Sequence, residues 1–173
     1  MPHPIEIKQV NISDAATLLE LSRKTFFDAF LHQNNIADME AYASTAFTLQ
    51  KFEKELSNAD SEFYFALVEG SIAGYLKLNY NNAQTELQDT DALEIERIYI
   101  LSEYQGQQIG KHLINFAIDT AINKKLNNVW LGVWEHNTKA IGFYKNKGFE
   151  PFGSHPFMLG NDKQTDILMR KSL

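Results

Sequence analysis

A strand-like run, a glycine-bearing turn and a helical pattern follow one another in ERIYILSEYQGQQIGKHLINFAI, the part of the sequence best suited to chemistry. Gln105, Gly106, Gln107, Gln108, Ile109, Gly110 and Lys111 make the turn and the first helical residues, so free backbone N–H groups and the positive helix end converge there. A diphosphate suits such a spot, although a plain structural turn has the same composition. Upstream, LEIERIY alternates so that Glu94 and Glu96 share one strand face and can look into one cleft. Downstream, VWEHNTKAIGFYKNKGFE offers Asn137 as a helix cap and sets Tyr144 beside Phe143 on a short helix, as a core residue or as a working phenol.

The elements that must position these groups follow from apolar periodicity. Residues 5–10 alternate as a first strand, and Ser13 is the expected cap of a helix whose apolar or small face is Ala15, Leu18, Leu19, Ser22, Phe26 and Phe30. The segment LHQNNIADMEAYASTAF reads as irregular or partly helical, a candidate lid or substrate loop, and Thr48 caps a short helix through KFEKEL. Two β-rich runs flank Glu69-Gly70-Ser71 as a hairpin, residues 81–91 are a loop, and residues 93–101 form another strand. A helix reaches to about Lys125 with a wide apolar face (Leu113, Ile114, Phe116, Ala117, Ile118, Ala121, Ile122). Residues 129–133 are a fifth strand, residues 138–146 a helix stopped by Gly148, and two strands joined at Gly160-Asn161-Asp162 end the chain. An α/β (α+β) fold follows, a mixed and mostly antiparallel central sheet with helices on both faces, because the hairpin rules out a doubly wound nucleotide fold.

Composition narrows the function further. A length of 173 residues fits one domain, residues 1–173, and 44% hydrophobic with 22% charged residues is a globular balance. The net charge of -6 argues against broad binding of nucleic acid, which needs a basic face, and favours a cationic partner. With no cysteine there is no disulfide, thiolate metal site or cysteine nucleophile; His3, His32, His112, His136 and His155 show no paired helical spacing, so no metal is expected. No apolar run is long enough for a membrane span, and the start MPHPIEIK lacks an apolar signal segment, so a cytoplasmic location is expected; a homodimer is compatible with this composition.

The turn residues 105–110 resemble the cofactor signature of the GNAT superfamily of N-acetyltransferases, Gln/Arg-x-x-Gly-x-Gly/Ala, with Gln108 where the first signature glycine stands. Asn137, Ala140, Phe143, Tyr144, Gly148 and Phe149 match the later block N-x-x-A-x-x-F-Y-x-x-x-G-F. The blocks TFFDAF, MEAYASTAF, FEKELSN, IAGYLKLN, LEIERIYI, WLGVWEHN and QTDILM are similar to those of bacterial spermidine/spermine N-acetyltransferases of the PaiA type. The resemblance implies acetyl-coenzyme A in a cleft where the fourth and fifth strands splay. Its pantetheine arm would lie along Ile98, Tyr99 and Ile100, whose N–H groups would also polarise the thioester carbonyl, and its diphosphate on the 105–111 amides. Asn137 would be an amide partner, Tyr144 the acid for the departing sulfur, and Lys139 and Lys147 surface residues near a phosphate. At Gln108, a positive φ would cost roughly 1 kcal/mol.

The implied reaction is acetyl transfer to a primary amine of a polyamine, by direct attack. An alkylammonium must lose roughly 4 kcal/mol to be deprotonated at pH 7, and Glu96, with Glu94 second, is the expected base. An extended cation asks for carboxylates and aromatic faces, which nominates Phe27, Asp28, His32, Tyr42, Tyr80 and Trp134 beside the two glutamates as the acceptor pocket. Another small amine or a protein amine is an alternative acceptor, and a noncatalytic acetyl-coenzyme A sensor is the alternative of another class.

Overall fold

The computed structural model describes residues 3–173; the first two residues of the MPHPIEIK start lie outside them. The chain runs β1 (Ile5–Gln9), α1 (Ala15–Phe30), α2 (Ile36–Ala46), α3 (Leu49–Leu56), β2 (Ser61–Val68), β3 (Ser71–Asn79), β4 (Ala92–Ile100), α4 (Ile109–Asn123), β5 (Asn128–Trp134), α5 (Thr138–Asn146), β6 (Glu150–Leu159) and β7 (Asp162–Ser172). The strands form one seven-stranded sheet in the order β1-β2-β3-β4-β5-β7-β6. Its neighbours pair antiparallel except β4 and β5, which are parallel. The mixed, mostly antiparallel sheet expected from the sequence is therefore the observed one.

Local chemistry accounts for most boundaries. Glu69 and Gly70 both have positive φ (50° and 81°), as a two-residue turn with right-handed strand twist requires. Thr48 accepts from the Lys51 N–H (3.3 Å) and Asn137 from the Ala140 N–H (3.3 Å), and Gly148 stops α5 at φ 91°. The expected Ser13 cap is corrected: a short 3-10 turn, Ile12–Asp14, precedes α1, and the Ser13 hydroxyl donates instead to the Asn11 side chain (2.5 Å). The candidate loop of residues 31–47 is corrected too, because most of it is the regular helix α2, whose Asn35 cap accepts from Ala37 N–H and Asp38 N–H. Its small residues bury little, with Met39 and Ala43 the buried ones, so its apolar stripe is faint in the sequence.

Two apolar layers sandwich the sheet. Leu76, Leu78, Leu93, Ile95, Val129 and Leu131 join Ile109, Leu113, Ile114 and Ala117 of α4 on one face, with Tyr144 of α5. Phe63, Phe65 and Tyr75 join Leu18 and Leu21 of α1 and Phe52 of α3 on the other. Full burial of each such large side chain contributes about 1.5–3 kcal/mol. At Gly74 a Cβ would sit 2.4 Å from the Tyr99 carbonyl oxygen, so β3 and β4 meet closely there.

Two departures from a regular sheet make the site. Pairing of β4 with β5 covers only Ala92–Ile95 against Asn128–Leu131, after which the strands part. The β3–β4 register also shifts, with Arg97 opposite Lys77 and Ile95 opposite Leu78, leaving Glu96 as the extra residue of a bulge. Strict alternation through LEIERIYI therefore breaks. Ile95 and Ile98 both pack toward α4, while Glu96 and the Arg97 guanidinium, 5.6 Å over the Phe52 ring, turn toward α1 and α3.

Candidate active site

The parting of β4 and β5 opens a cleft of about 340 Å³ lined from both faces of the sheet. On the side of α1 and α2 its wall is aromatic. Phe26 stacks on Tyr42 (5.1 Å between centroids) and contacts Phe30 (5.3 Å) and Phe47 (5.4 Å), and Phe30 meets Trp134 edge-on (6.0 Å). The acidic side chains of Glu94, Glu96 and Asp166 open onto the same cleft. From the other face come Ile98, Asn137, Ala140 and Tyr144. The gap is thus a window through the sheet, with one ligand able to approach from each side.

The free edge of β4 is set up for strand addition. The Leu101 N–H donates to the Ala73 carbonyl on β3 (2.8 Å), so alternation points the N–H groups of Ile100 and Ile98 away from β3, into the gap. The turn that follows has Gly106 at φ 81° and Gln108 at φ 64°, and α4 starts immediately after. Its first amides, those of Ile109, Gly110 and Lys111, precede the first helical hydrogen bond, which the His112 N–H makes to Gln108. A Cβ at Gly110 would meet the Phe143 ring at an ordinary 3.8 Å, so the first turn of α4 lies against α5. Gln105 closes the corner by donating to the Ile100 carbonyl (3.3 Å). These unpaired donors fit a ligand with an extended amide chain ending in a diphosphate.

Gln108 occupies the left-handed region that glycine takes without cost, and its side chain caps nothing. Gln108→Gly should therefore raise stability by about 1 kcal/mol, or about 2–4 °C in Tm, read by thermal unfolding. An unchanged or lower Tm would mean that the turn carries no strain at this residue.

The candidate reactive side chains differ in how they are held. Burial alone pushes the Tyr144 phenol above the ordinary tyrosine range, so it stays protonated as a donor. Glu94 is almost fully buried and accepts from Asn79 Nδ2 (3.0 Å), the Thr85 N–H (2.9 Å) and the Thr85 hydroxyl (2.5 Å). Burial raises its proton affinity, the Asn79 and Thr85 donors partly offset this, and the charge of Glu96 adds to the rise. Both Glu94 oxygens are thereby committed to fixing the 81–91 loop on the sheet. In Glu96, Oε2 lies 2.6 Å from Lys77 Nζ and 3.3 Å from Arg97 Nε. Glu55 of α3 completes a four-charge network, 3.0 Å from both Lys77 Nζ and Arg97 Nη2. These contacts hold Glu96 by one oxygen.

The chain matches the family model described as acetyltransferase (GNAT) family over residues 17–149. The chain belongs to the GNAT family. It is 40% identical to an uncharacterized N-acetyltransferase from Lactobacillus delbrueckii subsp. lactis, over 98% of each chain. It is 25% identical to the spermidine N(1)-acetyltransferase of Thermoplasma acidophilum, over 84% of this chain and 88% of that one. The crystal structure of the PaiA N-acetyltransferase from Thermoplasma acidophilum in complex with coenzyme A superposes with a TM-score of 0.79, at 23% identity and over 98% and 99% of the two chains. The protein is an N-acetyltransferase of GNAT type, and acetyl-coenzyme A is the cofactor of this family.

Against this GNAT frame the sequence-nominated residues separate. Glu94, Glu96, Ile98, Tyr99, Tyr42, Trp134, Asn137, Ala140 and Tyr144 come together in the cleft. Ile100 and residues 105–111 continue from it along the turn, and Lys147 lies 5.8 Å over the Phe143 ring on α5. Phe27, Asp28, His32 and Tyr80 are not part of the cleft lining. Phe27 turns to stack under Arg23 (4.8 Å), and Asp28 pairs along the helix with Lys24 (2.8 Å). His32 is exposed in the 3-10 turn after α1. Strand alternation sends Tyr80 to the α4 face, where Lys124 sits 4.8 Å over its ring. Phe26 and Phe30, one turn apart on α1, take the place expected of Phe27, and their assignment to an apolar stripe was the sequence signal for it.

Among the described residues no helix is long and apolar enough to cross a membrane.

Proposed function

We propose that this N-acetyltransferase acetylates a primary amine of a small polyamine such as spermidine, by direct attack of the amine. One observation carries the reading: a single cleft joins an aromatic wall to three carboxylates, those of Glu94, Glu96 and Asp166, a combination suited to an extended cation although Arg97 and Lys51 also reach its lining. The spermidine N(1)-acetyltransferase of Thermoplasma acidophilum among the relatives supports the same acceptor class.

Each half of the window has its task. Acetyl-coenzyme A, when bound, supplies the acetyl group as a thioester. The N–H groups of Ile98 and Ile100 bind its extended arm as an added strand and donate to its carbonyl, and the amides of Ile109, Gly110 and Lys111 take the diphosphate at the positive end of α4. The amine enters from the aromatic side. Oε1 of Glu96, the oxygen not held by Lys77 and Arg97, receives its proton directly or through water. Tyr144 donates a hydrogen bond or proton to the sulfur from the opposite face.

Incubation of the protein with acetyl-coenzyme A, spermidine, a lysine-bearing peptide and a peptide with a free N-terminus, with products weighed by mass spectrometry, tests the acceptor. Spermidine should gain one acetyl group at a rate at least about tenfold above either peptide. Acetylation of a peptide alone would replace the acceptor, and tight cofactor binding with no product would turn the reading into a sensor.

A further inference from the structure

Asp166 stands on β7 in register with Trp134 of β5 and His155 of β6, and all three line the cleft. Its side chain is 22% exposed, and its charged neighbour is His155, whose Nε2 lies 3.5 Å away while Nδ1 lies 3.0 Å from Glu86 Oε1. The Glu86–His155–Asp166 cluster therefore sets two carboxylates against one imidazole, leaving acceptor capacity on Asp166 toward the cleft. A half-buried carboxylate with acceptor capacity left over is favourably completed by a cation. On the adjacent position of β5, the Trp134 indole N–H is buried with no acceptor. Of the two groups, the carboxylate is the acceptor that an ammonium donor can complete.

Access agrees. Gly132 keeps Asp166 open to the cleft, because a Cβ there would stand 3.7 Å from both Asp166 Oδ2 and His155 Nε2. Tyr42 lines the same cleft as Glu96 and Asp166, so an aromatic surface is shared by the two carboxylates. Phe30 and Trp134 extend that surface, and it suits the methylene chain between two ammonium groups.

We propose that Asp166, backed by His155 and Glu86, seats the second ammonium of the acceptor while the first reaches Glu96, so that the enzyme selects diamines and polyamines over monoamines. This rests on the small-amine reading above. The test compares kcat and KM for 1,4-diaminobutane and 1-aminobutane, equal in chain length, in the parent protein and in Asp166→Asn, which removes the charge and keeps the shape. Coenzyme A binding heat checks that the variant is folded. The parent should favour the diamine by about tenfold or more in kcat/KM. Asp166→Asn should bring that ratio close to one by raising KM of the diamine far more than that of the monoamine. A ratio near one in the parent, or an unchanged ratio in the variant, overturns the Asp166 site alone. A parent protein that turns over neither amine while acetylating a peptide overturns the small-amine reading itself.

Discussion

Tyr144→Phe is expected to lower kcat by about a hundredfold while leaving coenzyme A affinity within about threefold. The substitution deletes one hydroxyl and keeps the ring, whose packing against Phe143 (5.5 Å between centroids) and Phe149 (6.0 Å) supports α5 and the neighbouring core. The lost atom is the proposed proton or hydrogen-bond donor on the α4–α5 side of the window, and burial keeps it protonated across the working pH range. Because that donation strengthens as charge develops on sulfur, the loss falls on kcat rather than on ground-state binding. Steady-state rates of thiol release and calorimetric coenzyme A titration, run on both proteins, separate the two quantities. Unchanged kcat would remove the acid role from Tyr144.

The second large effect concerns stability and comes from Lys77, a lysine 5% exposed with Glu55 at 3.0 Å and Glu96 at 2.6 Å. Lys77→Met should destabilise the protein by about 3–5 kcal/mol at pH 7, since it strands two carboxylates that then share only Arg97. The pH dependence has a definite sign. At Glu55 burial works against ionisation, but Arg97 and Lys77 outweigh it and hold the carboxyl below its ordinary value of 4.5. Its contribution is therefore fully present above that value and is lost as pH falls through the lowered one. Glu94 runs the other way: its raised affinity favours the protonated fold, a contribution present below its ordinary 4.5 and lost as pH rises through the raised value. Denaturant melts of the parent and Lys77→Met should thus differ most near neutrality and converge in acid, where protonated carboxylates need no counter-ion. A gap independent of pH would show that Lys77 acts through packing, including its place 5.4 Å from the Phe63 ring centre, rather than through charge.

Much of this was legible in the sequence because it is local. The Glu69–Gly70 turn, the Thr48 and Asn137 caps and the Gly148 stop each act within a few residues, so residue type and spacing sufficed. The strand, turn and helix of the candidate cofactor half were legible for the same reason, and Gln108, costly there if its φ is positive, has φ 64°. The bulge at Glu96 had a signal that strict alternation overlooks: the apolar phase of Leu93 and Ile95 slips by one before Ile98 and Ile100. The acceptor half depends on distant segments. Phe26 rather than Phe27 faces the cleft because of how α1 is rotated on the sheet, and Asp166 and His155 meet Trp134 only once β6, β7 and β5 pair. The same holds for the Glu55–Lys77–Glu96–Arg97 network, drawn from α3, β3 and β4, in which a lysine inside an apolar strand pattern gives no hint of its partners.

Backbone hydrogen exchange with and without coenzyme A addresses the account at its root, the grip of main-chain donors on the cofactor. Saturating coenzyme A should protect the amides of Ile98 and Ile100, which alternation turns into the gap, and of Ile109, Gly110 and Lys111, which precede the first bond of α4, and leave the Glu69–Gly70 hairpin unaffected. Bound coenzyme A with those five amides exchanging as fast as before would contradict it.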